Sequence, residues 1–317
     1  MTAFALGTFS TNGEAPFPGL VVDGRVLDLR GELGPETTTL ALLEDWGASL
    51  VRLRDLAGAA PANGPMVDQL RPHPPVASRQ VLCAGANYET HVREMAFAHF
   101  KAADDERADD ELRADADAAI EQLRASDPYI FAGLPSALVG AHDDVVLWGP
   151  GTQHDWELEL AVVISVGGRD IPVERAMEHV AGYTISNDVS TRDLLARPQF
   201  PMSDIVMTKC RPTFFPTGPY LVPRENVPEL ATLRLTLQVN DHVMQDSGLD
   251  DLMHGIDRLV AYASRAVELY PGDLLLTGSP AGNAAHHGGR WLEPGDVMHG
   301  EITGLGALHN RCVAPPT

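Results

Sequence analysis

The chain has 317 residues, with 23 Lys and Arg against 44 Asp and Glu, so its formal net charge is −21. A protein this acidic is repelled by nucleic-acid phosphates and by anionic lipid headgroups, so we expect neither as a partner. The absence of a ~20-residue apolar run and of signal-peptide features predicts a protein without a membrane span that resides in the cytoplasm.

The N-terminal part is predicted to form a small domain of its own. Short apolar segments at residues 3–9 and 20–29, punctuated by Gly and Pro, indicate a few strands and turns. Residues 40–56 have helical spacing. The proline-rich run at residues 71–75 must be stiff and extended, so it marks a boundary near residue 76. We therefore expect an N-terminal domain over 1–76 and a catalytic domain over 77–317.

An acidic segment follows early in the second domain. Residues 101–127 hold ten acids and four bases, and five apolar side chains recur at helical spacing: Leu112, Ala116, Ala119, Ile120 and Leu123. The pattern predicts a helical insertion over about residues 95–127, with one narrow apolar face packed and the other face solvated. A lid or a subunit contact is the alternative interpretation of this insertion.

After Pro128 the pattern favours strands. Residues 158–166 form a β-branched run, alternating apolar residues at 233–239 precede a turn at Asn240-Asp241, and one helix is predicted over residues 252–267. Because strands predominate and do not alternate regularly with helices, we predict an α+β, mostly β fold and not a doubly wound parallel sheet.

Two carboxylates within the apolar run indicate a metal site. In a strand, Glu157 and Glu159 point to the same face, about 6–7 Å apart. Two like charges on a half-buried strand are costly unless a cation neutralises them, and oxygen ligands suit Mg²⁺ foremost, with Mn²⁺ or Ca²⁺ as alternatives. An exposed strand edge with two solvated glutamates is the competing interpretation. Asp188, near the end of another predicted strand, favours the metal site.

A second candidate pair is His91 and Glu94, which are i and i+3 on a predicted helical turn. The carboxylate can there orient an imidazole that takes a proton from water, although such pairs also occur as solvated surface groups. The small-residue loop at 277–282 has the spacing of neither a phosphate loop nor a nucleophile elbow. His286-His287 is interpreted as a polar loop, with a metal site as the lesser alternative, since no carboxylate accompanies it at ligand spacing.

In chain order, these segments resemble the fumarylacetoacetate hydrolase family over residues 81–313. The resemblance rests on the following pieces: Asn87-Tyr88-x-x-His91-x-x-Glu94, Glu157-x-Glu159-Leu-Ala-Val-Val, Asp188-Val-Ser-Thr-Arg192-Asp193, Lys209, Pro216-Thr-Gly-Pro219, Thr277-Gly-Ser-Pro-Ala-Gly282 and Pro294-Gly-Asp-Val. Each piece alone is modest, whereas their shared order is a strong signal.

The resemblance implies a mixed β-sandwich or roll fold and a homodimer. It also implies roles for nine residues: a divalent metal bound by Glu157, Glu159 and Asp188, water activated by His91 and Glu94, an oxyanion stabilised by Lys209, and a substrate contacted by Tyr88, Arg192 and Thr277. An ion pair of Arg192 with Asp193 or with another neighbouring acid is an equal alternative for that side chain. Two family positions that are usually polar are Gly133 and Leu195 here.

These expectations combine into a predicted reaction. The resemblance implies Mg²⁺-dependent hydrolysis of a C–C bond in a small β-diketo acid of the acylpyruvate type, through a metal-chelated enolate. Decarboxylation, hydration or isomerisation of a 2-oxo acid is the alternative within enzymes, because these reactions use the same enolate. A metal-stabilised binding protein without activity is the alternative from another class.

Overall fold

The computed structural model describes residues 3–11, 13–59, 64–102, 107–227 and 229–316. Its helices, apart from short 3-10 turns, are α1 (Arg30–Leu33), α2 (Thr39–Glu44), α3 (Trp46–Ala59), α4 (Glu89–Ala102), α5 (Asp109–Ala125), α6 (Ile205–Lys209) and α7 (Ile256–Ala266). No helix within these ranges is long and apolar enough to cross a membrane.

Strands make up most of the remaining regular structure. They are β1 (Ala5–Ser10), β2 (Phe17–Val22), β3 (Arg25–Asp28), β4 (Arg71–His73), β5 (Val81–Gly85), β6 (Tyr129–Gly133), β7 (Leu138–Val139), β8 (Val145–Val146), β9 (His154–Asp155), β10 (Leu158–Ile164), β11 (Val180–Asn187), β12 (Ser190–Thr191), β13 (Ala196–Arg197), β14 (Phe200–Ser203), β15 (Phe215–Pro223), β16 (Arg234–Val239), β17 (His242–Gly248), β18 (Leu274–Leu276), β19 (Val297–Ile302) and β20 (Gly306–Val313).

A large sheet forms the centre of the molecule. Its strand order is β3-β2-β1-β15-β11-β10-β18-β5-β6, with β4 beside β1 and β7 beside β15. Neighbours run antiparallel except for the parallel pairs β18–β5 and β7–β15. β10 lies between β11 and β18, so both of its edges are hydrogen-bonded. This central position buries every residue of β10 and explains why all of them except Glu159 are apolar.

A second sheet covers one face of the large sheet. It has five strands in the order β17-β16-β19-β20-β8. Leu158 and Leu160 of β10 share a core cluster with Leu235 and Leu237 of β16. The predicted turn at Asn240-Asp241 is confirmed, because Val239 pairs with His242 across two residues. The two sheets therefore sandwich the even-numbered side chains of β10.

Helices α2 and α3 cover the opposite face. A separate core cluster contains Leu43 and Leu53 from these helices together with Ala161 and Val163 from β10. The order of layers is thus helices, large sheet, small sheet. This arrangement confirms the predicted α+β, mostly β fold.

The N-terminal segment joins the large sheet directly. β1 pairs with β15 and with β4, which contains most of the predicted extended run at residues 71–75. The predicted helix over residues 40–56 occurs as two helices, because Asp45 has a non-helical backbone with φ −128° and ψ 56°. The division into domains at residue 76 stays a prediction.

The acidic insertion is a pair of helices, α4 and α5, and residues 103–106 of that predicted segment lie outside the described residues. Leu112, Ala116 and Ile120 are buried as the spacing predicts, whereas Leu123 is exposed. Arg258 of α7 donates to the carbonyl oxygens of residues 124 and 126, at 3.1 and 2.9 Å. These contacts match a solvated helix that is packed by one narrow face.

The pairing of β11 with β15 depends on a glycine. A Cβ at Gly182 would lie 2.0 Å from the carbonyl oxygen of Val222, and a backbone atom cannot move aside cheaply. We expect Gly182→Ala to lower the free energy of unfolding by about 1–3 kcal/mol, the usual cost of overpacking. Chemical denaturation measures this difference.

The matched control for this prediction is Gly47→Ala in α3. No atom lies within 4 Å of a Cβ at Gly47, and Ala is the better helix former by about 0.5–1 kcal/mol. The control variant is therefore expected to be slightly more stable than the wild type. If Gly182→Ala were as stable as the wild type, the steric argument would be wrong.

Candidate active site

Three buried carboxylates meet where β10 and β11 lie side by side. Glu157 directly precedes β10, Glu159 lies within it, and Asp188 directly follows β11. The two strands are antiparallel, and the backbone N–H of Asp188 donates to the carbonyl of Glu157 at 2.8 Å. One oxygen from each of the three side chains lies within 4.8 Å of the others. Asp188 therefore lies beside Glu157 and Glu159, which the alternation of side chains along a strand places on one face.

Two cationic side chains contact this cluster. The Lys209 Nζ lies 2.5 Å from Glu157 Oε2 and 2.6 Å from Asp188 Oδ2. The Arg192 Nη2 lies 2.5 Å from Glu157 Oε1. Burial alone would raise the pKa of Glu157, but the charges of Arg192 and Lys209 outweigh burial and lower it to about 2. Glu157 is therefore a carboxylate at neutral pH, with a cation on each oxygen.

The other two carboxylates, Asp188 and Glu159, have fewer cationic neighbours than Glu157. Burial raises the pKa of Asp188 to about 7, although Lys209 opposes this shift. Burial and then the negative charges of Asp188 and Glu157 raise the pKa of Glu159 well above its ordinary value. Within the described ranges, Asp188 Oδ1 is buried without a hydrogen-bond partner. Oxygen donors, mutual repulsion of the three carboxylates when ionised and an unpartnered oxygen fit a hard divalent cation.

His91, on the first turns of α4, lies close to this cluster. Burial lowers the pKa of His91 to about 4, with the charge of Glu157 acting in the opposite direction and those of Arg192 and His286 adding to the effect. The imidazole is therefore neutral at physiological pH. No side chain or backbone group among the described residues hydrogen-bonds to its buried Nδ1. A neutral imidazole with an available ring nitrogen is suited to accept a proton.

Glu94 faces a different histidine from the one predicted. Its Oε2 lies 2.7 Å from the Nε2 of His286, and the His91 and His286 rings are 6.5 Å apart between centroids. Glu94 is therefore placed near both imidazoles and contacts His286. A direct contact between Glu94 and His91 stays a prediction.

Tyr88 and Thr277, the predicted substrate contacts, lie between β10 and α4. Both side chains are fully buried. The Thr277 hydroxyl donates to the carbonyl of Leu160 at 3.1 Å, and the Asn87 side-chain amide donates to the carbonyl of Thr277 at 2.9 Å. These bonds fix the loop after β18 to β10 and to the start of α4. Their role in binding substrate stays a prediction.

Arg192 forms the ion pairs that the sequence left as an alternative. Its Nε donates to Asp155 Oδ2 at 2.8 Å, in addition to the contact with Glu157. Asp193, its chain neighbour, instead accepts backbone N–H groups from residues 152 and 153. In this structure Arg192 therefore links two buried acids on one side of the cluster.

Sequence reasoning missed two residues of the site. Asp155 is buried and accepts from Arg192, and it precedes Glu157 by the same two-residue step that relates Glu157 to Glu159. That period was visible in the sequence. His286 carried no such signal, because its partner Glu94 belongs to a distant helix.

Gly133 lies where little space is left for a side chain. A Cβ at this position would lie 2.9 Å from the Phe215 ring and 3.2 Å from a Val81 methyl group. Position 133 in β6 therefore packs closely between these two side chains. A longer polar side chain would displace Phe215.

Lys209 is predicted to stabilise the cluster in the absence of a metal. Removing one partner of a buried ion pair costs about 3–5 kcal/mol. We expect Lys209→Met to lower the melting temperature strongly in a chelating buffer and less in saturating MgCl₂, because an added cation replaces the lost charge. Thermal melts under both conditions measure the difference.

Arg197→Met is the control for this prediction. Arg197 pairs with Asp204 at the surface, at 3.0 Å, and exposed pairs contribute only about 0–1 kcal/mol. The control variant should melt close to the wild type under both conditions. A Lys209→Met protein that melts like the wild type in the chelating buffer would contradict the stabilising role.

The two packed sheets and the three buried carboxylates at the N-terminal end of β10 define an α+β protein with an acidic site. The family model described as fumarylacetoacetate (FAA) hydrolase C-terminal matches residues 80–313. The chain therefore belongs to the fumarylacetoacetate hydrolase family, which confirms the resemblance seen in the sequence.

Several relatives place the chain within this family. The mitochondrial oxaloacetate tautomerase FAHD2B of Homo sapiens is 34% identical over 235 residues, 74% of this chain and 66% of the relative. The chain thus spans slightly less than two thirds of that protein's length. The 2,4-didehydro-3-deoxy-L-rhamnonate hydrolase of Sphingomonas sp. (strain SKA58) is 32% identical over 297 residues, 93% of this chain and 91% of the relative.

A solved structure shares the fold over nearly the whole chain. The maleylpyruvate hydrolase of Sphingobium sp. SYK-6, in complex with manganese(II) and pyruvate, superimposes with a TM-score of 0.74. It is 24% identical and covers 98% of this chain and 100% of its own. At this identity the likeness establishes the fold alone.

Proposed function

We propose that this protein is a metal-dependent hydrolase that cleaves a C–C bond in a small β-diketo acid of the acylpyruvate type. The observation that carries the proposal is a neutral imidazole, His91, beside a buried cluster of three carboxylates. The first group can accept a proton from water, and the second provides oxygen donors for a divalent cation. The Sphingomonas hydrolase, matched over 91% of its length, supports the hydrolytic reaction.

The residues proposed to hold the metal are Glu157, Glu159 and Asp188. We propose Mg²⁺ as the natural ion, with Mn²⁺ or Ca²⁺ as alternatives, because all three side chains offer hard oxygen ligands. When bound, such an ion supplies Lewis acidity that withdraws electron density from the oxygens of a chelating dioxo acid.

The protein's own residues then have distinct tasks. His91 removes a proton from water, which adds to the carbonyl carbon remote from the substrate carboxylate, and Glu94 orients the imidazole. Lys209 stabilises the negative charge that develops on that carbonyl oxygen. When the oxygen re-forms the carbonyl, the C–C bond breaks and its electron pair remains on the carbon next to the 2-oxo group. A proton returned by His91 completes the release of a carboxylic acid and a 2-oxo acid.

Substrate recognition is proposed to involve Arg192, Tyr88 and Thr277. Arg192 is the cation best placed to bind a substrate carboxylate, because its side chain is 25% exposed whereas that of Lys209 is 8% exposed. Tyr88 and Thr277 border the loop that fixes Glu159 through the N–H of Gly278, at 2.7 Å. These side chains set the shape of the site beside the acidic cluster.

A second candidate is isomerisation or tautomerisation of a 2-oxo acid. The specific observation that favours it is the 34% identity to an oxaloacetate tautomerase. The same neutral His91 could move a proton between carbon and oxygen of one substrate without any attack by water. Decarboxylation and hydration remain related alternatives on the same scaffold.

Isotopic labelling distinguishes these reactions. The protein is incubated with an acylpyruvate in H₂¹⁸O, with MgCl₂ or with a chelator, and the products are analysed by mass spectrometry. Hydrolysis places the label in the new carboxylic acid and requires the metal. A parallel assay follows the absorbance of enol-oxaloacetate. Tautomerisation without C–C cleavage of any acylpyruvate would overturn the hydrolase proposal in favour of the second candidate.

The proposed enzyme is a homodimer in the cytoplasm. The resemblance to a family whose members commonly dimerise supports the first point. The curated tautomerase relative is mitochondrial, so the location requires direct measurement. Sedimentation equilibrium tests the dimer, and imaging of a fluorescent fusion tests the location.

A further inference from the structure

We propose that His286 is a positioning residue that holds the Glu94 carboxylate beside His91. This inference rests on the proposed role of His91 as the group that deprotonates water. Glu94 has 38% of its side chain exposed, and an isolated side chain there would sample several rotamers. Its buried Oε2 lies 2.7 Å from His286 Nε2 without the alignment of a hydrogen bond, and this close contact favours one rotamer.

The turn that carries His286 is firmly attached to the acidic cluster. Residues 284–287 form one 3-10 turn, which ends at Gly288 in a left-handed conformation with φ 68°. Asp155 Oδ1 accepts the backbone N–H of Ala284 at 2.9 Å, while Asp155 Oδ2 accepts from Arg192. Asn283 donates to the carbonyl of Trp156 at 3.1 Å. The segment that enters β10 therefore also fixes the position of His286.

A carboxylate has two oxygens, so it can bind two imidazoles at once. His286 occupies one side of Glu94, and the buried Nδ1 of His91 has no hydrogen-bond partner in the described part of the chain. The two rings lie 6.5 Å apart between centroids, so His91 lies close to the imidazole that contacts Glu94. In the proposed order His286, Glu94, His91, the imidazole on α4 is connected through Glu94 to the fixed turn at residues 284–287.

The first test is a double-mutant cycle of His286→Ala and Glu94→Gln in acylpyruvate hydrolysis. Groups that orient a functional side chain contribute about 10–100-fold. We expect His286→Ala to lower kcat about 10-fold with little change in KM, and His286→Gln, which keeps a donor, to recover part of the loss. In the Glu94→Gln background, His286→Ala should have no further effect. Independent, multiplicative losses would overturn the proposal.

The control variant is His287→Ala. His287 belongs to the same turn, but its Nε2 lies 3.0 Å from the carbonyl of Met244 and away from Glu94. We expect its kcat to equal that of the wild type. If His287→Ala lost as much kcat as His286→Ala, His286 would only stabilise the turn, and the proposed positioning role would be wrong.

A second measurement does not depend on activity. The imidazole NMR signals of His286 in the wild type and in Glu94→Gln report the contact directly, because the Glu94 carboxylate lies 2.7 Å from the ring nitrogen. We expect the chemical shifts of the His286 ring to change in Glu94→Gln and those of the His287 ring to stay constant. Unchanged His286 signals would overturn the inference even if hydrolysis is established. Changed His286 signals in a protein without hydrolytic activity would support the contact and reject the proposed function.

Discussion

Glu159→Gln is expected to abolish metal-dependent turnover and to leave the metal-free protein at least as stable as the wild type. Gln has nearly the same volume and can still accept the N–H of Gly278, but it removes one anionic ligand. A Lewis-acidic ion supplies several kcal/mol. At about 1.4 kcal/mol per factor of ten, its loss corresponds to a decrease in kcat of about 10³-fold or more.

The stability of the same variant should depend on pH in a defined direction. Burial and the charges of Asp188 and Glu157 raise the pKa of Glu159 well above the ordinary value of 4.5. The wild type is therefore not destabilised by this group below pH 4.5, and it loses stability as pH rises from there towards the raised pKa of the folded state. The advantage of Glu159→Gln in melting temperature should accordingly grow between pH 5 and pH 8 in a chelating buffer.

Isothermal titration with MgCl₂ and steady-state kinetics provide the measurements for Glu159→Gln. Glu174→Gln, at an exposed position, is the control and should change neither metal affinity nor melting temperature. Unchanged metal affinity in Glu159→Gln would show that Glu159 is not a ligand. A lower melting temperature at pH 8 would contradict the electrostatic argument.

His91→Ala is expected to reduce kcat by about 10²–10⁴-fold, the usual contribution of a general base. KM and metal affinity should stay nearly constant, because the carboxylates remain. The wild-type kcat should fall as pH decreases towards about 4, where the imidazole of His91 becomes protonated and can no longer accept a proton. The residual kcat of His91→Ala should not show this decrease at acidic pH.

The pH profiles of both proteins and of His242→Ala measure this prediction. His242 is exposed at the start of β17 and far along the chain from α4, so its removal should leave the profile intact. A change confined to KM would assign His91 to uniform substrate binding and remove it from proton transfer.

Much of this site could be predicted from the local periodicity of the sequence. The strand period placed Glu157 and Glu159 on one face, and the apolar run around them indicated a central strand, which β10 is. The same period pointed to Asp155, whose role became visible only once Arg192 was seen beside it. Alternation within a strand reports which face a side chain occupies, and it is independent of the partner strand.

Contacts between distant elements could not be predicted. Glu94 was assigned to His91 because the helix places i and i+3 on one side, yet tertiary packing brings His286 within 2.7 Å of it. The helix predicted over residues 40–56 fits the spacing throughout, and its interruption at Asp45 has no counterpart in the apolar pattern. Both outcomes are decided by packing against other parts of the chain.

The strand order of the large sheet has a consequence for how the protein is made. β5 pairs with β18, and nearby Gln80 binds Asp273 across 193 residues of sequence; Asn226 similarly binds Phe4 across 222 residues. During synthesis, the apolar strands β1 and β5 emerge long before their distant partners β15 and β18. Such nonlocal pairing slows folding and favours aggregation of incomplete chains. A chain that stops before β18 lacks one of the two strands beside β10 and also the N–H of Gly278 that binds the Glu159 carboxylate.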